Sequence, residues 1–464
     1  AQEAETHEED DHSGSRFSDE PIPLAEMPER PKPIIELGEP FLGTGTLKQG
    51  IKLPTGAVWQ PAFLAYGTVR SALQSINQEI DDTNLQLSEA AFRFDLFGNL
   101  YLTASERLLI GFRPLDEGGQ FTRYTLNTNL DLDEDDFVDE LNFGIRTLFF
   151  EGDLGELFPA LDWADSKGLD IGISIGRQPL SFQDGMLINE DAMDLIGLTK
   201  ANIKMGSLVN VRATALLGWG DIDRPVGLAN VVDGNILGTN IGDKSAGLIG
   251  LFTEMDSRKR TIEADIVYVF ADDIEGSGIY AGVGSTRRFG RFNNTIRVVA
   301  SMPAGDEGVH NSEGVLISNQ FSWTPHHSHN HVYISTFIGI NEFRSAARGP
   351  ASGGPLGRTG ILFSAVGIGR FGAPLGNLAD YAVGGSAGYQ FFFADTRQQL
   401  IVEVGGRTNY EDKGLFLTDT VAGGARYQIA LSRRGIILID GFTIYDMDLE
   451  SVTVAGRLEF VLKL

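Results

Sequence analysis

Cysteine is absent from all 464 residues. Disulfides, thiolate metal sites, cysteine nucleophiles and thioether-linked haem are therefore excluded. No run of 18 apolar residues occurs either, so no transmembrane helix is encoded. Cationic charge is scarce: 37 Lys and Arg stand against 63 Asp and Glu, a formal net charge of −26. That balance argues against binding a nucleic-acid backbone, which needs Lys and Arg. No Ser-His-Asp order, HExxH, P-loop or complete EF-hand spacing is present, and GVGSTRRFG lies between strands rather than in a dinucleotide fingerprint. From this inventory neither enzymatic activity nor a cofactor is expected. Glycine, by contrast, is plentiful at 57 residues. A helical protein would resist it, since Gly inside a helix costs about 1 kcal/mol relative to Ala.

Residues 1–55 differ from the rest. They are acidic and then Pro-rich, with neither helical nor strand periodicity, and read as an extended, polyproline-like arm. The opening AQEAE fits a chain whose secretory signal peptide has been removed. His7 and His12, within HEEDDH, are a weak metal-ligand candidate.

Residues 56–464 change to short segments with period-2 alternation, separated by Gly, Asp and Asn clusters. In the last of them Val452, Val454, Leu458, Phe460 and Leu462 share one face, while Arg457, Glu459 and Lys463 share the other. The same split recurs along the chain. A soluble sandwich would carry polar outer faces and a continuous dry core. Here the polar face holds Arg and carboxylates at mid-strand, and the other face is apolar throughout. This is the pattern of a lipid-facing exterior around a wet lumen. The fold expected is all-β: a transmembrane antiparallel β-barrel of about 18 strands (16–20), with the extended N-terminal arm at 1–55. Short connections (KMGS, DSRKR, RFGR, ADTRQ, LSRRG and an FGN turn at 97–99) alternate with long ones at 115–138, 178–191, 220–245, 303–313 and 345–378. Short turns and both termini are expected to face the periplasm and the long loops the exterior.

Alternation points Arg93, Arg146, Arg212, Arg297, Arg407, Arg426 and Arg457 inward, together with Asp95, Glu263, Asp265, Glu403 and Glu459. A ring of Arg attracts carboxylate or phosphate groups. Much of the acid lies instead in the arm and in loops such as DLDEDDFVDE, where charges beyond a Debye length of about 8 Å are screened. Arg177 is expected in the constriction with Arg146, on a 178–191 loop that folds toward the pore. Strict alternation from Ile175 would turn Arg177 outward, so this placement requires a bulge. His326, His327, His329 and His331 crowd one turn, dense enough to ligate Zn, Ni or Cu.

Residues 142–197 resemble the alginate-export family of outer-membrane barrels. The resemblance is carried by Arg146 with Phe149, then by Gly176, Arg177 and Gln178, then by Asp184 or Asp191, with an acidic stretch at 131–140 ahead. It implies an 18-stranded monomeric barrel whose Arg-lined pore passes an anionic polyuronate. The expected partners are outer-membrane lipid and an anionic solute or polysaccharide. A second reading makes the barrel a scaffold or sheath that anchors periplasmic or cell-surface proteins, as in an electron-conduit porin. An obstructed lumen would favour that scaffold, and an open Arg-lined lumen would favour transport.

Overall fold

The structure, a computed structural model, describes residues 31–38, 50–80, 83–103, 105–129, 136–161, 168–225, 241–243, 246–272, 276–305, 310–364, 367–411 and 418–464. His7, His12 and most of the segment expected as an arm lie outside these residues. Within residues 32–464 the alternating segments form one antiparallel sheet that closes on itself. Its wall strands are β1 (Ala62–Ile80), β2 (Thr83–Tyr101), β3 (Arg107–Phe112), β4 (Ile145–Asp153), β5 (Ile171–Phe182), β6 (Ile188–Lys200), β7 (Asn210–Gly220), β8 (Gly247–Asp256) and β9 (Arg260–Phe270). They continue with β10 (Gly278–Phe289), β11 (Phe292–Pro303), β12 (Gly314–Trp323), β13 (His331–Asn341), β14 (Ala382–Phe393), β15 (Gln398–Asn409), β16 (Thr420–Ala430), β17 (Gly435–Asp446) and β18 (Ser451–Lys463). Each pairs with its sequence neighbours, and β18 returns to β1 from Val452↔Glu79 to Lys463↔Thr68. The expected count of 18 is thus observed. No helix among the described residues is long and apolar enough to cross a membrane.

The alternation decides which side chain meets which medium. On β18 Val454, Leu458 and Phe460 are exposed on the outer face, Leu458 at 46 %, whereas Arg457 and Glu459 are buried inside. Outside, Phe289, Phe292, Phe321 and Trp323 form a run of ring contacts near the short-turn end, with Arg287 over Phe289 at 5.8 Å. Such aromatic girdles are expected where hydrocarbon meets headgroups.

Three boundaries differ from the sequence expectation. The FGN segment is no turn: β2 runs on to Tyr101, and Leu102 instead hydrogen-bonds Glu106 across the turn. The first strand is Ala62–Ile80, and part of the segment before it, Ile35–Leu37, pairs with Phe63–Ala65. Within the stretch expected as a long connection at 115–138, Gln120–Thr128 is a strand.

The larger correction concerns the longest connection, 342–381, expected outside the barrel. It folds into the interior. Phe343, Ala346, Ala347, Leu356, Leu362, Phe363, Phe371 and Leu375 are buried against inward side chains of the wall, including Phe337, Val299 and Phe442. The segment is anchored across the lumen. Ala347 and Arg348 bridge β6 in parallel at Ile188 and Asn189, while Arg370 pairs with Glu89 on β2 at 2.8 Å. Gly367 passes so close to Arg457 that a Cβ there would meet its guanidinium.

Replacing Leu458 by Arg should destabilise the barrel by about 2–4 kcal/mol, the range for a cation on the lipid face near mid-membrane. Urea unfolding in lipid vesicles measures it; an unchanged midpoint would place Leu458 away from lipid.

Candidate functional site

The ladder carries faults at one level of four consecutive strands. β3 stops at Phe112, makes an excursion through 113–119, and its course along β2 resumes as Gln120–Thr128. On β4 the register shifts between Ile145 and Thr147, on β5 between Gln178 and Leu180, and on β6 between Asp194 and Leu195. Bulges re-aim side chains and recur next to functional sites. Here they gather charge. Arg113, on the excursion, donates to Asp95 at 3.0 Å and to Asp191 at 2.6 Å, and Arg146 donates to the same Asp191. Arg93 holds the other side of Asp95 at 2.9 Å. Glu190, Asp191 and Asp223 keep carboxylate oxygens within 4.8 Å of one another. The two guanidiniums on Asp191 offset part of this negative charge.

Arg146 therefore reaches the interior by a different route from the one alternation suggests. Thr147 is the buried, inward residue, and the shift between Ile145 and Thr147 carries Arg146 to Asp191. Arg177 stays on the other side. It keeps the parity of exposed Ile175 and binds Asp194 through two 2.9 Å hydrogen bonds and Asp221 at 3.0 Å. The bulge that its inward placement required comes after it, at Pro179. The expected 178–191 loop is only a turn at 183–187, because β5 runs to Phe182 and β6 begins at Ile188. That turn is itself buried inside, where Gln183 donates to Asp265 at 2.7 Å.

The remaining interior candidates are largely paired. Arg297 meets Glu263 at 3.1 Å and Asp184 at 3.8 Å. Arg212 pairs with Glu254. Arg426 holds Asp440 at 2.6 Å, and Arg457 lies between Asp440 and Glu459. Arg407 donates instead to the carbonyls of Leu375 and Leu378 in the inward connection. Glu403 accepts from Ile361 N at 2.7 Å, from Leu362 N and from Tyr333 Oη. Several of the expected lining residues are therefore clamps that fasten the inward connection to the wall.

One open space is a vestibule of about 730 Å³ along β4–β9 and β11. Its wall includes Glu151, Asp153, Asp184, Glu254, Glu263 and Asp265, with Arg212 and Arg297 as its only cationic side chains among the described residues. It is carboxylate-rich, contrary to the expected Arg lining. At its edge stands a residue that strand parity could not have found. Arg358, exposed on the inward connection, donates to Ser181 Oγ at 2.9 Å and to Asn189 Oδ1 at 2.8 Å. Among the described residues it has no carboxylate partner.

The histidine turn does not form the expected metal centre. Among the described residues, three ligating atoms converge at Glu190, Asp191 and Asp223, and not at His326, His327, His329 and His331. The His326 and His327 ring centroids lie 3.7 Å apart with the planes tilted by 55°, while His331 stacks beside Tyr333 at 6.4 Å.

A closed antiparallel 18-strand barrel with lipid-facing apolar parity and a connection folded inward has the architecture of outer-membrane porins. Comparison with solved structures agrees. The Pseudomonas aeruginosa outer membrane protein OpdK superposes with a TM-score of 0.54 at 12 % identity, over 86 % of this chain and 98 % of that one. OccK2 (OpdF) from the same organism, in complex with glucuronate, gives 0.52 at 10 % identity over 86 % and 98 %. OpdK with vanillate gives 0.53 at 12 % over the same shares. At these identities the likeness is one of fold. No family model matches the sequence, and no curated protein matches it.

Asp223 sits in the short strand Ile222–Arg224, outside the wall, and burial pushes its carboxyl up to about 6. A carboxyl raised in the folded state keeps its proton where the unfolded chain has lost it. Stability is therefore gained as pH falls from about 6 toward 4, and lost as it rises through that window. The Asp223→Asn variant should lose this step. Unfolding midpoints measured between pH 4 and 7.5 would show it, and an identical pH profile in both proteins would remove Asp223 as its source.

Proposed function

We propose that the chain is an outer-membrane channel for small hydroxylated carboxylates, with its short turns toward the periplasm. The observation that carries this reading is Arg358, an exposed cation at the edge of a carboxylate-rich vestibule. One guanidinium matches one carboxylate in a two-pronged geometry. The surrounding Asp and Glu accept hydrogen bonds from hydroxyl groups. A sugar acid presents both. The glucuronate complex of OccK2 and the vanillate complex of OpdK concern solutes of this chemistry in proteins of the same fold. The resemblance of residues 142–197 to alginate exporters calls for a uronate as well. A polysaccharide fits less well, because the inward connection fills the space a polymer would thread.

That same filled interior favours the scaffold reading, in which the barrel holds partner proteins. Planar-bilayer conductance separates the two, since a scaffold passes no solute-selective current. In the channel, Arg358→Ala should lower anion-over-cation permeability about tenfold, the equivalent of one charge-assisted hydrogen bond. Arg177→Ala should leave it unchanged. Reversal potentials under a salt gradient give both values, and an unaltered Arg358→Ala protein would sink the assignment.

Orientation has its own test. The chain has no cysteine, so Ser328→Cys in the 324–330 turn supplies a single thiol. It should resist a membrane-impermeant maleimide in intact cells and react after the outer membrane is opened; labelling of intact cells would invert the topology.

A further inference from the structure

Four of the short connections carry charge of the opposite sign to the chain as a whole. With the strand residues that flank them (256–260, 287–291, 394–397 and 431–434) they hold nine Lys and Arg against two Asp, in a protein of net charge −26. Between the turn after β10 and the turn after β12 this surface folds into a crevice of about 520 Å³. Arg288, Arg291, Asn293, Thr324, His327 and His329 line it, and among the described residues no carboxylate does. Arg288 and Asn293 are register partners across β10 and β11. They share the parity of Tyr280 and Val299, both fully buried on the inner side of the wall. The crevice therefore opens toward the lumen and not toward lipid. The aromatic run Phe289, Phe292, Phe321 and Trp323 occupies the outer face at this level.

We propose that this crevice is an oxyanion site at the short-turn mouth, taking the carboxylate or phosphate group of a small solute. Its role as a station on the solute's route rests on the channel reading above. Two guanidiniums offer forked N–H donors, and the Asn amide, the Thr hydroxyl and the imidazoles add single donors, an assortment suited to an oxyanion with several acceptor oxygens. The same two guanidiniums repel a divalent cation, so the imidazoles beside them serve an anion better than a metal. Arg288 and Arg291 form no ion pair among the described residues, and Arg288 Nε is engaged only by Gly290 O, at 3.4 Å.

Calorimetric titration of the full, detergent-solubilised protein with inorganic phosphate tests the site directly, without requiring conduction. Saturable binding is expected, weakened at least about tenfold in the Arg288→Ala/Arg291→Ala double variant, as for loss of charge-assisted hydrogen bonds. Arg288→Lys/Arg291→Lys should retain part of it, which separates lost charge from a disturbed turn. Lys204→Ala, in the turn between β6 and β7, should bind as the parent does. Glucuronate competing with phosphate would assign the site to a carboxylate solute, and phosphate binding without competition would assign it to phosphate groups. The proposal is overturned by absent phosphate binding, by equal binding in the double alanine variant, or by Zn²⁺ binding in place of phosphate. Phosphate binding in a protein that passes no current would keep the crevice and remove the channel reading.

Discussion

Hydrocarbon offers no partner to a backbone N–H or C=O, and everything else in this protein follows from that. An unsatisfied group in lipid costs several kcal/mol. A sheet that crosses a membrane must then have no edge, and the pairing of β18 with β1 removes the last one. Closure fixes two surfaces with opposite demands on every strand. Leu458 can be exposed outside only because Arg457 and Glu459, its neighbours in sequence, turn inside. Eighteen strands also enclose more space than wall side chains can fill. The connection at 342–381 and the turn at 183–187 occupy much of that space and leave the vestibule beside them.

Inside, charge is managed by pairing. A lone ion removed from water is expensive, and a pair that loses one member costs about 3–5 kcal/mol. Asp440 between Arg426 and Arg457, Glu89 on Arg370 and Asp191 between Arg113 and Arg146 obey this rule. The pairs do not all join wall to wall. Arg370–Glu89 ties the inward connection to β2, whereas Glu403 with the Ile361 amide and Arg407 with the Leu375 carbonyl tie it to β15. Once such clamps are set aside, Arg358 is the exposed cation left at the vestibule edge among the described residues.

The wall was legible in the sequence because period-2 alternation is a local property. Parity alone puts Arg426 and Arg457 inside and Val421 and Leu458 outside, and the structure has them there. Legibility ended where the ladder broke. Parity could not carry Arg146 through a bulge, and the constriction assigned to Arg177 depended on a bulge that lies past it, at Pro179. It could say nothing of Arg113 or Arg358, which sit on an excursion and a connection. Length alone suggested an outside loop at 345–378, although ILF and the apolar residues around it were a signal of burial. The four histidines were close in sequence, but His326 and His327 stand beside each other while His331 stands beside Tyr333.

The connection at 342–381 also imposes an order on assembly. Its partners lie on both sides of it in the chain: Glu89 comes long before, whereas Glu403, Arg407 and Phe442 belong to strands that follow. Its full set of contacts therefore exists only once strands from both ends of the chain stand around it, so the packed interior is completed no earlier than the wall itself. Closure of the barrel is then also the step that locks its contents in place.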